Sequence, residues 1–160
     1  MTETRWLTEE ERAAWVRLAA VVELLPRALD AQLQRDAALT HFEYFTLAML
    51  SEAPERTVRM STLAAMTNAT PPRLSKVMSR LESEGYVERR PCPGDGRATN
   101  AVLTDRGWAK VVEAAPGHVE TVRTLVVDPL TSRQVRELAA IADRLLERLD
   151  PEGKVMRHPS

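Results

Sequence analysis

The chain has 160 residues, 44% of them hydrophobic and 28% charged, with a formal net charge of −1. These proportions are ordinary for one soluble globular domain and argue against disorder, a collagen-like repeat or a disulfide scaffold. Aromatic residues make up only 4%, which leaves Leu, Val, Ala and Met to fill the interior and favours helices.

Cys92 is the one cysteine. It cannot close an intrachain disulfide or build a thiolate metal site alone, which fits a reducing, cytoplasmic setting. The N-terminus, Met1-Thr2-Glu3-Thr4-Arg5-Trp6, lacks the basic and apolar regions of a signal peptide. Charge-free stretches such as residues 61–72 are too short and polar for a bilayer that needs about 20 apolar residues. The near-zero net charge hides a segregation. Residues 1–55 carry 5 Arg against 10 acids, residues 56–97 carry 8 Lys/Arg against 4 acids, and residues 98–160 carry 9 of each. Attraction to phosphate depends on local charge, so a basic middle suits a nucleic-acid surface, with a solvated basic face as the bland alternative.

Thr8-Glu9-Glu10-Glu11 has the form of a capping box and predicts a helix start. Trp15, Leu18, Val22, Leu25 and Leu29 then recur by threes and fours along one face, with a kink expected at Pro26. Thr40-His41-Phe42-Glu43 repeats the capping box and opens a second helix through Leu50, closed by the loop Glu52-Ala53-Pro54-Glu55. Ser61 is expected to cap a third helix over 62–66. After Thr67-Asn68-Ala69, Thr70-Pro71 supplies an N-cap and a first-turn proline for a fourth helix, which runs to Glu84 and ends at Gly85.

On that fourth helix Leu74, Val77, Met78 and Leu81 form an apolar stripe. Pro72, Ser75, Lys76, Ser79 and Ser83 point away from it, and Arg73 and Arg80 share a flank. Short adjacent helices around a small polar turn, the second offering small and basic side chains outward, describe a helix-turn-helix. Residues 86–90 and 98–103 are predicted strands of a β-hairpin, joined by the turn chemistry of Pro91-Cys92-Pro93-Gly94-Asp95-Gly96-Arg97. Thr104 caps a fifth helix bearing Trp108, Val111, Ala115, Val119, Val122 and Leu125, with an interruption expected at Pro116-Gly117 and an end at Asp128-Pro129. Thr131-Ser132-Arg133-Gln134 caps a sixth, striped by Val135, Leu138, Ala142, Leu145 and Leu149, and the tail from Glu152 is expected to fray. Apolar seams on the first and last helices invite a second copy of the chain, unless both serve the monomer's own core.

Residues 60–64, Met60-Ser61-Thr62-Leu63-Ala64, lead toward Leu81-Glu82-Ser83-Glu84-Gly85-Tyr86-Val87-Glu88-Arg89. That arrangement resembles the recognition unit of the MarR family of bacterial transcriptional regulators. Asp95-Gly96-Arg97 followed by Leu103-Thr104-Asp105-Arg106-Gly107 resembles its wing signature, an Asp-x-Arg before a Leu-Thr-x-x-Gly. The resemblance covers nearly the whole chain. It implies a mainly α homodimer with a small β-hairpin wing, in which residues 1–160 form one unit: a winged helix-turn-helix lobe over about 40–104 and dimerisation helices over about 8–37 and 105–150. It also implies that the helix from Pro71 enters the major groove of double-stranded DNA, that Arg97 reaches the minor groove and that Asp95 orients that arginine. The sequence departs from the family in having Gly96 where a second arginine is common, which weakens minor-groove anchoring. Pro71-Pro72 at the helix start leaves fewer amide donors for phosphate.

The DNA-binding candidates are therefore Thr70, Arg73, Ser75, Lys76, Ser79, Arg80, Asp95 and Arg97. Ser75 and Lys76 are assigned to base edges or phosphates, Arg73 and Arg80 to phosphates, and Arg97 to the narrow minor groove. Arg89 and Arg90 read as surface charges or non-specific phosphate contacts. The family often takes small aromatic or anionic effectors between its lobe and dimer helices. Trp15, His41 and Phe45 are the candidates here, although Trp15 and Trp108 on apolar stripes read first as core. His41, His118 and His158 are far apart in sequence, so no metal is expected. Cys92 among arginines reads first as an ordinary thiol and second as an oxidisable one. No nucleophile motif, phosphate loop or paired carboxylates appear, so neither an enzyme nor a cofactor is expected. Two other classes remain open on the residues alone: a winged-helix protein-interaction module and a small-molecule binding protein.

Overall fold

The computed structural model describes residues 3–157. Helix α1 spans Glu9–Ala37, with both halves of the Thr8–Glu11 capping box formed. It continues through Pro26, the position of the expected kink, as one uninterrupted helix. Proline removes one N–H, and Val22, whose carbonyl would have received it, is exposed to water. Helix α2 (His41–Glu52) starts at the second capping box: Glu43 Oε2 accepts from Thr40 N at 2.8 Å while Thr40 Oγ1 accepts from Glu43 N.

A 3₁₀ turn (Pro54–Arg56) leads into strand β1 (Thr57–Arg59), an element the sequence did not announce. Helix α3 (Met60–Met66) begins directly after it, with Arg59 at the N-cap position and no side-chain cap; Ser61 lies inside the first turn instead of capping it. Helix α4 (Pro71–Ser83) starts at Thr70, and Gly85 takes the left-handed conformation just beyond its end (φ 75°). Strands β2 (Val87–Cys92) and β3 (Asp95–Leu103) extend into what was expected to be turn, which contracts to Pro93-Gly94. The wing is thus a three-stranded antiparallel sheet ordered β1-β3-β2, not a hairpin alone. Val58 pairs with Ala101, and Arg89 pairs with the same residue from the other side.

Helix α5 (Asp105–Val122) continues unbroken through Pro116-Gly117 and ends in one π-helical turn (Arg123–Val127). Gly117 has a packing role here, because a Cβ on it would come within 3.1 Å of Gln32 Nε2 on α1. Helix α6 (Ser132–Leu149) starts at the third capping box, that of Thr131 and Gln134. The residues that follow it are folded back as far as they are described: Val155 N donates to Asp150 Oδ2, and Met156 N donates to Met66 O at 2.9 Å, next to the turn between α3 and α4. The expectation of a frayed tail is corrected to that extent, while His158 and the last two residues lie outside the described chain.

The core sits inside the lobe. Leu47, Leu50, Leu63, Met66, Leu74, Met78, Leu81, Val87 and Ala101 are fully buried, each large side chain contributing about 1.5–3 kcal/mol of transfer free energy. Leu33 and Leu29 carry the core onto the C-terminal half of α1, and Val111 and Ala114 onto α5. Trp15 and Trp108 are not core residues in the monomer, being 58% and 40% exposed. Val22, Leu24, Val119, Leu138, Ile141 and Leu145 are exposed as well. Among the described residues no helix is long and apolar enough to cross a membrane.

Candidate nucleic-acid interface

Helix α4 has a strongly two-sided sequence, and its packing follows it. Leu74, Met78 and Leu81 face the core, while Pro71, Pro72, Arg73, Lys76, Ser79 and Arg80 are exposed and Ser75 is half-buried. Thr70 Oγ1 accepts from Arg73 N, a long bond of 3.4 Å that ties the cap to the first turn. Lys76 has no hydrogen-bond or ion-pair partner among the described residues. Arg73 lays its guanidinium over the Phe42 ring, 4.1 Å from its centroid, an arrangement that holds the cation at the surface without neutralising it.

Arg80 is placed differently from the phosphate contact expected of it. Its Nε meets Glu43 Oε1 at 2.5 Å and its Nη2 reaches the Ala38 carbonyl at 3.4 Å. Glu43 is almost completely buried, so this carboxylate caps α2 with one oxygen and anchors α4 with the other. Removing Arg80 would leave a buried carboxylate short of its cation.

Arg89, read from sequence as a surface charge, is the most heavily bonded side chain of the interface. From β2 its Nε and Nη2 grip Glu82 Oε2 (2.9 and 2.6 Å), and its backbone N donates to Glu82 Oε1 (2.8 Å). Nη1 donates to Ser75 Oγ (3.1 Å) and Nη2 to Ser79 Oγ (2.9 Å). These bonds, opposed by partial burial, hold the Glu82 carboxyl below its ordinary pKa. The sequence did carry a signal for this: alternation along a strand puts Arg89 on the same side as Val87, which is buried. Arg90 instead pairs with Glu88 on its own strand.

At the wing tip Asp95 Oδ1 accepts from the Arg97 backbone N (3.2 Å), while Oδ2 lies 4.0 Å from Arg59 Nη2. Asp95 therefore holds the Arg97 main chain, and the Arg97 side chain is exposed with no partner among the described residues. Arg59, which sequence reading passed over because β1 was not foreseen, also donates to Cys92 Sγ at 3.6 Å. Gly96 faces open space.

A cavity of about 590 Å³ opens between the C-terminal part of α1, the start of α2 and α4. Arg27, His41, Phe42, Arg73, Lys76 and Arg80 are among its walls. His41 is the one of the three effector candidates that lines it. Trp15 lies farther up α1, and Phe45 packs against the core. The cavity's two carboxylates are already engaged, Asp30 by His41 N and Glu43 by Thr40 and Arg80, so the cations dominate. Behind this wall the fold brings together histidines that are distant in sequence. The His41 and His118 rings lie 6.2 Å apart, with Tyr44 4.6 Å from His118. Burial lowers the pKa of both histidines, Asp30 opposing the effect at His41 and His41 reinforcing it at His118. Burial also raises that of Tyr44, with Glu52 adding to the effect. Among the described residues no group of three His, Cys, Asp or Glu could hold a metal ion.

Residues 39–98 match the family model described as "MarR family". Over 136 residues the chain is 31% identical to the HTH-type transcriptional regulator PecS of Dickeya dadantii, covering 82% of this chain and 79% of PecS. Among solved structures, Sco3205, a MarR family transcriptional regulator from Streptomyces coelicolor crystallised in complex with DNA, is 42% identical and superposes with a TM-score of 0.90 over 97% of this chain and 99% of its own. AbsC, another MarR family regulator from the same organism, is 37% identical, with a TM-score of 0.86 over 91% of this chain and 98% of its own. A family of regulators, not of enzymes, agrees with the missing nucleophile and phosphate-loop motifs. The chain belongs to the MarR family of winged helix-turn-helix transcriptional regulators.

Proposed function

We propose that this chain works as a homodimeric, sequence-specific repressor that covers a pseudo-palindromic operator in the cytoplasm and is released by a small aromatic or anionic effector. The observation that carries the reading is the DNA complex of Sco3205, whose chain matches this one almost end to end. The local chemistry agrees with it. In this reading α4 enters the major groove with Lys76 and Ser75 toward bases or phosphates and Arg73 toward the backbone, while Thr70 fixes the helix start. Arg97, free at its head and held at its main chain by Asp95, enters the minor groove. Ser79 and Arg80 serve mainly by holding α4 in place.

The dimer reading rests on the apolar side chains that α1, α5 and α6 leave in water. A monomer that exposed Val22, Val119, Leu138, Ile141 and Leu145 together would carry an unusually large apolar surface, and a second copy covers such a surface by two-fold symmetry. The effector reading rests on the cavity, where Arg27 and Lys76, without an ion-pair partner among the described residues, offer charge and Phe42 and His41 offer rings. An occupant that binds better to a lobe arrangement unsuited to the operator would release DNA.

Hydroxyl-radical footprinting on the intergenic DNA upstream of the protein's own gene tests the reading. The expected result is two protected patches about one helical turn, roughly 10 bp, apart on one face of the duplex. Uniform or absent protection on every fragment would overturn it.

A further inference from the structure

The bonds of Arg89 have a consequence for how DNA would be read, and the inference rests on the DNA-binding reading above. The geometry points to Arg89 as a positioning residue that sets the sequence preference of the recognition helix without itself touching a phosphate.

Ser75, Ser79 and Glu82 stand at steps of four and three on α4, which puts them on one face over two turns. One guanidinium on β2 bonds all three, and the Arg89 main-chain N–H adds a third bond to Glu82, the fifth of the set. Rotation of α4 about its own axis relative to the wing would break these bonds together, so the register between recognition helix and wing is fixed here. The planar, five-donor guanidinium is what makes this possible, and a lysine could meet only part of the set. Charge follows the same logic. Arg89 and Glu82 neutralise each other at 2.6 Å, with side chains 27% and 30% exposed, so neither is a free charge for counterion exchange with DNA.

The two serines are left in different states. Ser79 Oγ accepts from Arg89 and donates its own proton to the Ser75 carbonyl at 3.0 Å, which occupies the hydroxyl in both directions. Ser75 Oγ accepts from Arg89, and its proton has no acceptor among the described residues. Ser75 is thereby presented as a donor, suited to an acceptor on a base edge such as guanine O6 or N7, adenine N7 or thymine O4. Without Arg89 the same hydroxyl could turn to accept from an amino group, and its discrimination would relax.

The test compares wild type, R89M/E82Q, R89K, S75A and S79A by fluorescence anisotropy against the operator fragment and a scrambled duplex at several salt concentrations. R89M/E82Q keeps the net charge of wild type. Expected for it are an unchanged salt slope on scrambled DNA and an operator-to-scrambled affinity ratio at least tenfold lower. R89K keeps the slope and recovers only part of the ratio. S75A lowers the ratio about tenfold, and S79A changes it less than twofold, which keeps the proposal falsifiable should the Arg89 variants fail to fold. A salt slope reduced by about 0.9 in R89M/E82Q, with operator and scrambled affinity falling in proportion, would make Arg89 a phosphate contact and overturn the inference. Wild-type discrimination in both R89M/E82Q and S75A, or an equal effect of S75A and S79A, would overturn it too. If wild type itself shows no preference among fragments, the DNA-binding reading falls and takes this inference with it.

Discussion

Gly107→Ala would strike the joint where wing, recognition helix and α5 meet. A Cβ at residue 107 would lie 2.1 Å from the Tyr86 carbonyl oxygen and 2.6 Å from Leu103 Cδ1, far inside van der Waals contact. The Tyr86 oxygen cannot give way freely, since it accepts from both Thr104 N and Thr104 Oγ1 at 3.1 Å. Thr104 Oγ1 in turn contacts the Gly85 carbonyl at 2.7 Å and caps α5 by accepting from Gly107 N. Overpacking of this kind costs about 1–3 kcal/mol. Straining two hydrogen bonds adds about 0.5–1.5 kcal/mol each. A total of about 4 kcal/mol corresponds to a fall in Tm of roughly 8–16 °C for a domain of this size. Thermal unfolding by circular dichroism, at matched protomer concentration because a dimer's Tm depends on it, would measure the fall. Gly96→Ala serves as the control, because nothing lies within 4 Å of its Cβ position. A Gly107→Ala protein melting within about 2 °C of wild type would refute the close-approach argument.

Three further outcomes follow from the same structure. Gly96→Arg adds a cation to an open wing tip and should tighten binding to operator and scrambled DNA alike, steepening the salt slope by about 0.9; an unchanged slope would show that the tip does not approach phosphate. Ile141→Glu, placed on an α6 residue that is 59% exposed in the monomer, should move the sedimenting species from twice 17.9 kDa toward 17.9 kDa, and a folded variant still at the doubled mass would exclude this stretch of α6 from the seam. Acidification should destabilise the protein through His41 and His118. Both have folded-state pKa values below the ordinary 6.5, so the unfolded chain takes up protons near that pH that the folded one refuses. Their stabilising effect is complete above pH 6.5 and is lost as the pH falls through it toward the lowered folded values. The lowered carboxyl of Glu82 acts in a separate window that opens only below its ordinary 4.5. Urea unfolding between pH 7.5 and 5.5 should show the loss, and His41→Asn/His118→Asn should flatten it; an equal slope in that variant would rule out the pair as its source.

What could be read in the sequence was local. Thr8, Thr40 and Thr131 announce their helices because a capping box needs only a residue and its third neighbour. Thr70-Pro71 and Gly85 bracket α4 for similarly short-range reasons. Strand β1 was invisible because three residues carry no period, and it exists through pairing with β3 more than forty positions on. Pro26 and Pro116, where the sequence predicts kinks, both lie inside continuous helical spans, so each proline costs its helix one hydrogen bond without ending it. The site showed the same division. Lys76 and Arg97 could be picked out as outward-facing cations from their positions on helix and turn. The engagement of Arg80 with Glu43 and of Asp95 with Arg59 depends on tertiary neighbours that no spacing reveals. His41 and His118, 77 positions apart in the chain, meet only because α2 packs on α5.

Sequence-selective DNA binding through α4 and the wing is the central property to test. Fluorescence anisotropy of the purified protein against labelled fragments from around its own gene, with a scrambled duplex beside each and salt varied, measures that directly. Preferential binding to at least one fragment is expected, with affinity falling steeply as salt rises because several cations displace counterions. Equal affinity for every duplex at all salt concentrations, or no binding even at low salt, would contradict it.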